Sequence, residues 1–413
     1  MVQVPYKWVD GAILGDHSKK KHQVLRRYLV EYLQIRCITP QQTRFRFAVI
    51  DGFAGGGAYH GGEPGSPLIF LELLLEQSRE INIRRSADGM ARIHFECLLI
   101  FNDFDPDAIV ILKQNVASLK ASCDAQNDLT VKTVFMNEEF ETAYPIIKKH
   151  LATKKIARNV FFNLDQCGST WVSRETIVDI LTTYQSAEVI LNFAAQSMFT
   201  YLSRNNPDAL KKTLEQHGVD YRQVADLSQV ASKREWRAAI ERLVFESYRR
   251  CGPYVSPFAI NNPDGWLYWL LHFANEPKAR QVYNDLLHDN SGVQGHYGRS
   301  GLNMLTYDPT NEGQDYLFAD DDRQRAREEL YYDIPKVVSE FGDAITISEF
   351  IRNVSNETPS HSQDLAQAMI DNPDLTVRTE NGGERRSANG IRPSDTLILK
   401  PQRSFLLMPT LKR

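Results

Sequence analysis

The chain has little cysteine, and no pattern in what it has. Five cysteines (Cys37, Cys97, Cys123, Cys167, Cys251) are spread over 413 residues without a Cys-x-x-Cys pair. An odd, unclustered set argues against a disulfide framework and a thiolate zinc site, and reads as reduced thiols in a cytoplasmic protein. No apolar run reaches the roughly 18 residues of a membrane span. Residues 1–20 are polar and charged, unlike a secretory leader. No internal repeat and no long low-complexity tract is present. Positive charge is not in excess either: 48 Lys and Arg face 52 Asp and Glu, a formal net charge of −4. Such a chain has no global field for nucleic acid, so any such contact requires a local basic patch. Apolar residues make up 42% and charged residues 24%. Neither disorder nor a fibrous design follows, and the length suits two or three domains.

What the sequence does have is alternation. Residues 19–36 carry Val24, Leu25, Tyr28, Leu29, Tyr32 and Leu33 at helical spacing. A strand is expected at 46–51, then a helix opened by Gly65-Ser66-Pro67, with Ser66 as N-cap and Pro67 at the first position. Apolar strands follow at 95–101, 129–136, 160–164 and 189–193, with a helix at 106–119 after the first of them. Continuously apolar strands alternating with helices predict a parallel sheet covered on both faces. A charged helical insertion is expected over 205–252. Residues 254–260 and 266–273, joined by Asn262-Pro263-Asp264-Gly265, read as an antiparallel hairpin closing the sheet. That closure distinguishes a Rossmann-like class I methyltransferase sheet from an ordinary dinucleotide dehydrogenase. The domain expectation is an extension at 1–18, a core over 19–204 and 253–311 around the insertion, and a C-terminal domain at 312–413. In that last part, helices followed by a hairpin with a long polar tip resemble a winged-helix module.

Chemistry concentrates at the strand ends. Asp51-Gly52-Phe53-Ala54-Gly55-Gly56-Gly57 follows the first strand. Gly55 and Gly57 permit close backbone approach and positive φ, and the residues after them open a helix whose N-terminus favours an anion. In methyltransferases this place takes the methionine end of S-adenosylmethionine, with Asp51 toward the amino group and Phe53 beside it. Asp103 ends the second strand and is the candidate for the ribose hydroxyls, while Asp105 reads as the cap of the following helix. Asn137 and Glu138, ending the third strand, are candidates to border the adenine. Asp165, ending the fourth, is the catalytic candidate, accepting a hydrogen bond from a target amino group. Cys167 would suit a pyrimidine C5 nucleophile, but Gln166 stands where those enzymes place proline, so a buried inert thiol is the stronger reading. Arg378, Arg385, Arg386 and Arg392 form a basic cluster at the expected wing tip, a candidate nucleic-acid contact diluted by Glu380 and Glu384. No metal site is expected. Scattered carboxylates such as Glu138, Glu139 and Asp165 leave a nuclease or defence effector as a third alternative.

These residues together resemble the three-Cys-motif partner protein family. The resemblance is carried by Lys21-His22, Leu25-Arg26-Arg27-Tyr28-Leu29, Ile50-Asp51-Gly52-Phe53-Ala54-Gly55-Gly56-Gly57, Tyr59, Gly65-Ser66-Pro67-Leu68 and Leu164-Asp165 with Gly168, followed by the hairpin and helix to 288. It implies a methyltransferase-like fold, an S-adenosylmethionine cofactor and a radical-SAM-like partner whose own three cysteines name the family. The chain departs from the family at Gln166 and Cys167, where Pro and an aromatic are expected. A non-catalytic partner protein on the same scaffold is therefore the alternative to an active enzyme.

Overall fold

Runs of four to six uncharged residues at the C-terminal part of each strand build the middle of the sheet. In a computed structural model of the chain, residues 8, 11–154, 158–166, 168, 171–193, 207–225, 242–256, 259–261, 267–289, 294–297, 299–304, 315–316 and 320–401 are described. Strands β1 (Arg44–Asp51), β2 (His94–Asn102), β3 (Leu129–Met136), β4 (Asn159–Leu164) and β5 (Ser186–Phe193) run parallel in the order β3-β2-β1-β4-β5. Register aligns Ile50 with Ile100 on one side and with Phe162 on the other. Ala48, Val49, Ile50, Leu98, Leu99, Ile100, Phe161 and Phe162 are all buried. Each fully buried large side chain contributes about 2 kcal/mol, and the polar residues among these strands that are buried, such as Asn159 and Glu188, lie near the strand starts or, like Asn163, near the ends.

Helices α1 (Asp16–Arg36), α2 (Ser66–Ala87), α3 (Pro106–Asp124), α4 (Phe140–Lys154) and α5 (Arg174–Thr183) accompany these strands. Asp105 caps α3, its side chain accepting from the Asp107 N–H at 2.9 Å. At α2 the expectation is corrected: Gly65 is the N-cap and Ser66 the first helical residue, with no side-chain cap. Ser66 stands instead beside Asp51, as described below.

The sheet closes antiparallel. β8 (Leu267–Ala274) pairs against β5, with Leu191 opposite Leu271. β6 (Tyr254–Ser256) and β7 (Ala259–Asn261) both pair antiparallel to β8, opposite His272–Ala274 and Leu267–Trp269. The order 3-2-1-4-5 with a reversed strand beside the fifth is the class I methyltransferase arrangement of the Rossmann-like sheet. The turn residues 262–265 lie outside the described residues. So does much of the 205–252 stretch, of which α6 (Pro207–Gln216), α7 (Arg222–Ala225) and α8 (242–249) are described. Helix α9 (Pro277–His288) follows and packs on α1 and β8, and β9 (Gln294–Tyr297) pairs antiparallel to β7.

The chain divides into two units, 1–296 and 297–413. In the second, α10 (Asp320–Glu340), β10 (Ala344–Thr346), α11 (Ile347–Val354), α12 (Ser362–Asp371), β11 (Leu375–Arg378) and β12 (Thr396–Leu399) follow in order. The three strands form an antiparallel sheet in the order β10-β12-β11. Leu330, Ile334, Val338, Phe350, Leu365, Val377 and Leu397 form its core. Thr346 and Glu349 cap α11 reciprocally.

Candidate functional site

The C-terminal ends of β1, β2, β4 and β5 meet at the point where strand order reverses, the place where open α/β sheets bind ligands. Here the apolar strands stop and polar residues begin. Asp51, Asn102, Asn163 and Asn192 stand at those ends, all buried.

The glycine loop is held from both sides. The Gly52 N–H donates to the Asn163 carbonyl at 3.0 Å, and the Ala54 N–H to the Asn102 carbonyl at 2.9 Å. Asn102 Nδ2 donates to the carbonyls of Gly52 (3.1 Å) and Glu138 (3.0 Å), tying the end of β1 to the end of β3. Gly55 and Gly57 have φ of 59° and 83°, so both expected positions do require glycine. A side chain at Gly57 would meet Leu112, with the added carbon 2.6 Å from its Cδ1. At Gly55 and Gly56 the space is taken by the indole of Trp8, whose ring lies 5.3 Å from that of Tyr59.

Asp51 is fully buried. Its Oδ1 accepts from Asn163 Nδ2 at 3.2 Å, and its Oδ2 has no hydrogen-bond partner. Burial raises its carboxyl from 3.8 to about 7, against the milder opposing influence of the Ser66 hydroxyl, Asn163 and the Phe53 N–H. A buried acceptor left unmet costs about 1–3 kcal/mol. Such an oxygen beside a glycine loop fits a ligand's ammonium group.

Asp103 lies at the next strand end. Its Oδ2 accepts from the Gly55 N–H at 2.7 Å and its Oδ1 from the Asp105 N–H at 2.9 Å. Burial again raises its carboxyl above the usual range. Phe104 beside it is 70% exposed. Asn137 donates to the Asp103 and Phe104 carbonyls, both at 2.9 Å, so it holds the β2 end in shape. Glu138 is exposed, and the Phe53 ring packs against Phe140 and Trp171.

Asp165 differs from both. Lys21 of α1 donates to its two oxygens at 2.6 and 2.8 Å, and Asn192 Nδ2 to its Oδ1 at 2.8 Å. Burial opposes the charge, but Lys21 outweighs it, and the carboxyl sits below its usual range. His22 is pushed down to about 4, first by burial, so it is neutral at physiological pH. Lys21, His22, Leu25, Asn163, Asp165 and Asn192 line one cleft, together with Ser66, Ile190 and Leu270. Lys21 reaches it because it continues the buried stripe of α1, one helical turn before Leu25 and two before Tyr28. Tyr28 anchors that stripe by donating to Glu188 of β5.

The site therefore brings together Asp51, Asp103, Gly55, Gly57, Phe53 and Asp165, as expected residues, with Asn137 and Glu138 at its edge. Cys167 lies outside the described residues. Lys21, His22, Asn163 and Asn192 were not assigned a site role from the sequence. A carboxamide interrupting Phe161-Phe162-Asn163-Leu164 or Ile190-Leu191-Asn192-Phe193 was the available signal. Among the described residues no group of three His, Cys, Asp or Glu side chains is placed to hold a metal ion. The four arginines of the second unit divide: Arg385 donates to both oxygens of Asp395 at 2.9 and 3.1 Å, while Arg378, Arg386 and Arg392 are exposed.

No family model matches the chain, and no curated protein matches it in sequence. Solved structures do overlap it. An O-methyltransferase from Bacillus cereus in complex with SAH is 11% identical, with 64% of this chain and 94% of that one covered and a TM-score of 0.25. Geranyl diphosphate C-methyltransferase from Streptomyces coelicolor A3(2) is 11% identical, with 63% and 84% covered and a TM-score of 0.23. A putative rRNA-methylase from Clostridium thermocellum is 9% identical, with 63% and 99% covered and a TM-score of 0.22. Overlays this loose carry no argument; the fold is read from the strand order itself.

Proposed function

We propose that the first unit is an S-adenosylmethionine-dependent methyltransferase. The observation that carries this is Asp51: a buried carboxyl with an unpartnered oxygen, beside a glycine loop with two positive-φ glycines, in a sheet of methyltransferase order. Bound there, S-adenosylmethionine would supply an activated methyl group. Asp51 would receive its ammonium, Asp103 its ribose hydroxyls, and Gly55 and Gly57 would let the backbone approach. Phe53, Asn137 and Glu138 are the remaining candidate contacts. Asp165, oriented by Lys21 and Asn192, would face the methyl acceptor. Isothermal titration with S-adenosylmethionine and S-adenosylhomocysteine tests this; a folded protein that gives no heat at millimolar ligand refutes it.

The finer reading is membership of the three-Cys-motif partner proteins, acting with a radical-SAM-like protein on nucleic acid or something bound to it. The motif residues from Lys21 to Gly168 support it. The second unit's helices, three-stranded sheet and exposed Arg378, Arg386 and Arg392 suit a winged-helix-like nucleic-acid contact. Co-purification with a neighbouring three-cysteine protein, and a gel shift of the intact chain on duplex DNA and RNA, test these two parts. A non-catalytic partner role is favoured by one observation: Lys21 already neutralises Asp165. Methyl transfer by the isolated chain to any cellular nucleic acid would refute that role.

A further inference from the structure

Asn192 is the penultimate residue of β5 and is 3% exposed. Its Nδ2 donates to Asp165 Oδ1 at 2.8 Å and to the Gln166 carbonyl at 3.2 Å. Both partners are pure acceptors, so the orientation of this carboxamide is fixed by its bonds. Its carbonyl oxygen consequently faces away from them, and it is buried without a donor. Asn192 lines the cleft with Asp165 and His22. Asp165 brings lone pairs to the same wall. His22 brings a neutral ring: burial is the main cause, Lys21 and Arg26 on its own helix add to it, and Asp165 opposes. The cleft's ammonium, Lys21, is already engaged with Asp165, and the Asn163 amide donates to Asp51. Apart from one N–H of the His22 ring and the Ser66 hydroxyl, which stands next to Asp51, the polar wall thus offers acceptors to whatever enters.

We propose that this cleft selects a methyl acceptor that is itself a hydrogen-bond donor, an amino nitrogen, and that the Asn192 side-chain carbonyl is the specificity-determining group. This rests on the methyltransferase reading above. An amino group has a hydrogen for the Asn192 oxygen and a second one for another acceptor of the same cleft, such as Asp165. A carbon or thiolate acceptor would leave the Asn192 oxygen unmet, and a buried acceptor without a donor discriminates strongly against such a substrate.

Two ligands separate the claims. S-adenosylhomocysteine has a bare sulfur where the cofactor carries its methyl group; sinefungin has a primary amine on carbon at that place. Both are titrated calorimetrically into the intact chain at pH 7.5, and into Asn192→Leu. The wild type binds sinefungin about tenfold more tightly than S-adenosylhomocysteine. Asn192→Leu reduces that preference to under about threefold and changes the S-adenosylhomocysteine Kd by less than about twofold. A purely structural role would weaken both ligands alike. Equal affinities in the wild type, or a preference that survives in Asn192→Leu, overturn the proposal while leaving the cofactor reading intact. If neither ligand binds the folded wild type, the reading beneath the proposal falls with it. Should Asn192→Leu not fold, Asn192→Ser serves, and the wild-type comparison decides without any variant.

Discussion

Asp51 and Asp165 end neighbouring strands beside one cleft, and their surroundings send them in opposite directions. Asp51 has only neutral donors beside it, the Ser66 hydroxyl, the Asn163 amide and the Phe53 N–H, so burial dominates and its carboxyl rises to about 7. Asp165 has Lys21 at 2.6 Å and falls below the ordinary range. One carboxyl waits for a cation; the other already has one. The stability consequences are opposite in sign. Asp51 has a folded value above its unfolded 3.8, so its contribution is fully present below about pH 4 and is lost as pH rises to about 7. The gap corresponds to at most about 4 kcal/mol. Asp165 has a depressed folded value, so its contribution is present above the ordinary carboxylate range and is lost on acidifying below it.

The contrast can be broken by removing each charge in turn. Asp51→Asn is expected to weaken S-adenosylmethionine binding at least about 100-fold while raising stability by about 1–3 kcal/mol at pH 8, measured by urea unfolding. Loss of stability in that variant would mean that Asp51 already has a partner. Lys21→Met is expected to do the reverse, costing about 2–4 kcal/mol by leaving Asp165 without its cation. Adding Asp165→Asn should recover at least about 1 kcal/mol in a double-mutant cycle. Affinity for S-adenosylmethionine should rise about tenfold from pH 6 to pH 8, because the charged form of a carboxyl near 7 grows by that factor. Calorimetry in buffers of different ionisation heat should register one proton released per ligand at pH 6. The smallest effect extends the same contrast to the second unit. Arg385→Gln, which leaves Asp395 with the Arg392 N–H at 2.7 Å, should lower the thermal unfolding midpoint, and Arg378→Gln should lower it less.

The sheet was legible because each strand carries an apolar run of about four to six residues that stops at a polar one. The strand ends were legible for the same reason: Asp51, Asp103 and Asp165 are where those runs stop. The other half of the site was not. Lys21 and His22 sit on a helix whose basic residues look alike in sequence, and their partners are scattered: Lys19 pairs with Asp16, Arg26 with Glu72, Arg27 with Asp289, and Lys21 with a residue 144 positions away. No local rule separates the lysine that enters the cleft from its neighbours. Ser66 was misplaced because a serine before a proline satisfies the capping pattern, whereas here Gly65 caps and Ser66 stands next to Asp51. Asn192 was missed because its meaning lies in which of its two ends is satisfied.

Trp8 adds a consequence in time rather than in energy. Its indole occupies the face of Gly55 and Gly56, and the Gly11 N–H donates to the Trp8 carbonyl at 3.2 Å. A ligand that lays itself along those glycines must first find the indole elsewhere. Its apparent affinity is then the intrinsic one scaled by the fraction of molecules in which the ring has already left. Its arrival is paced by that departure, so at high ligand concentration the observed association rate levels off at the rate at which a single side chain moves aside.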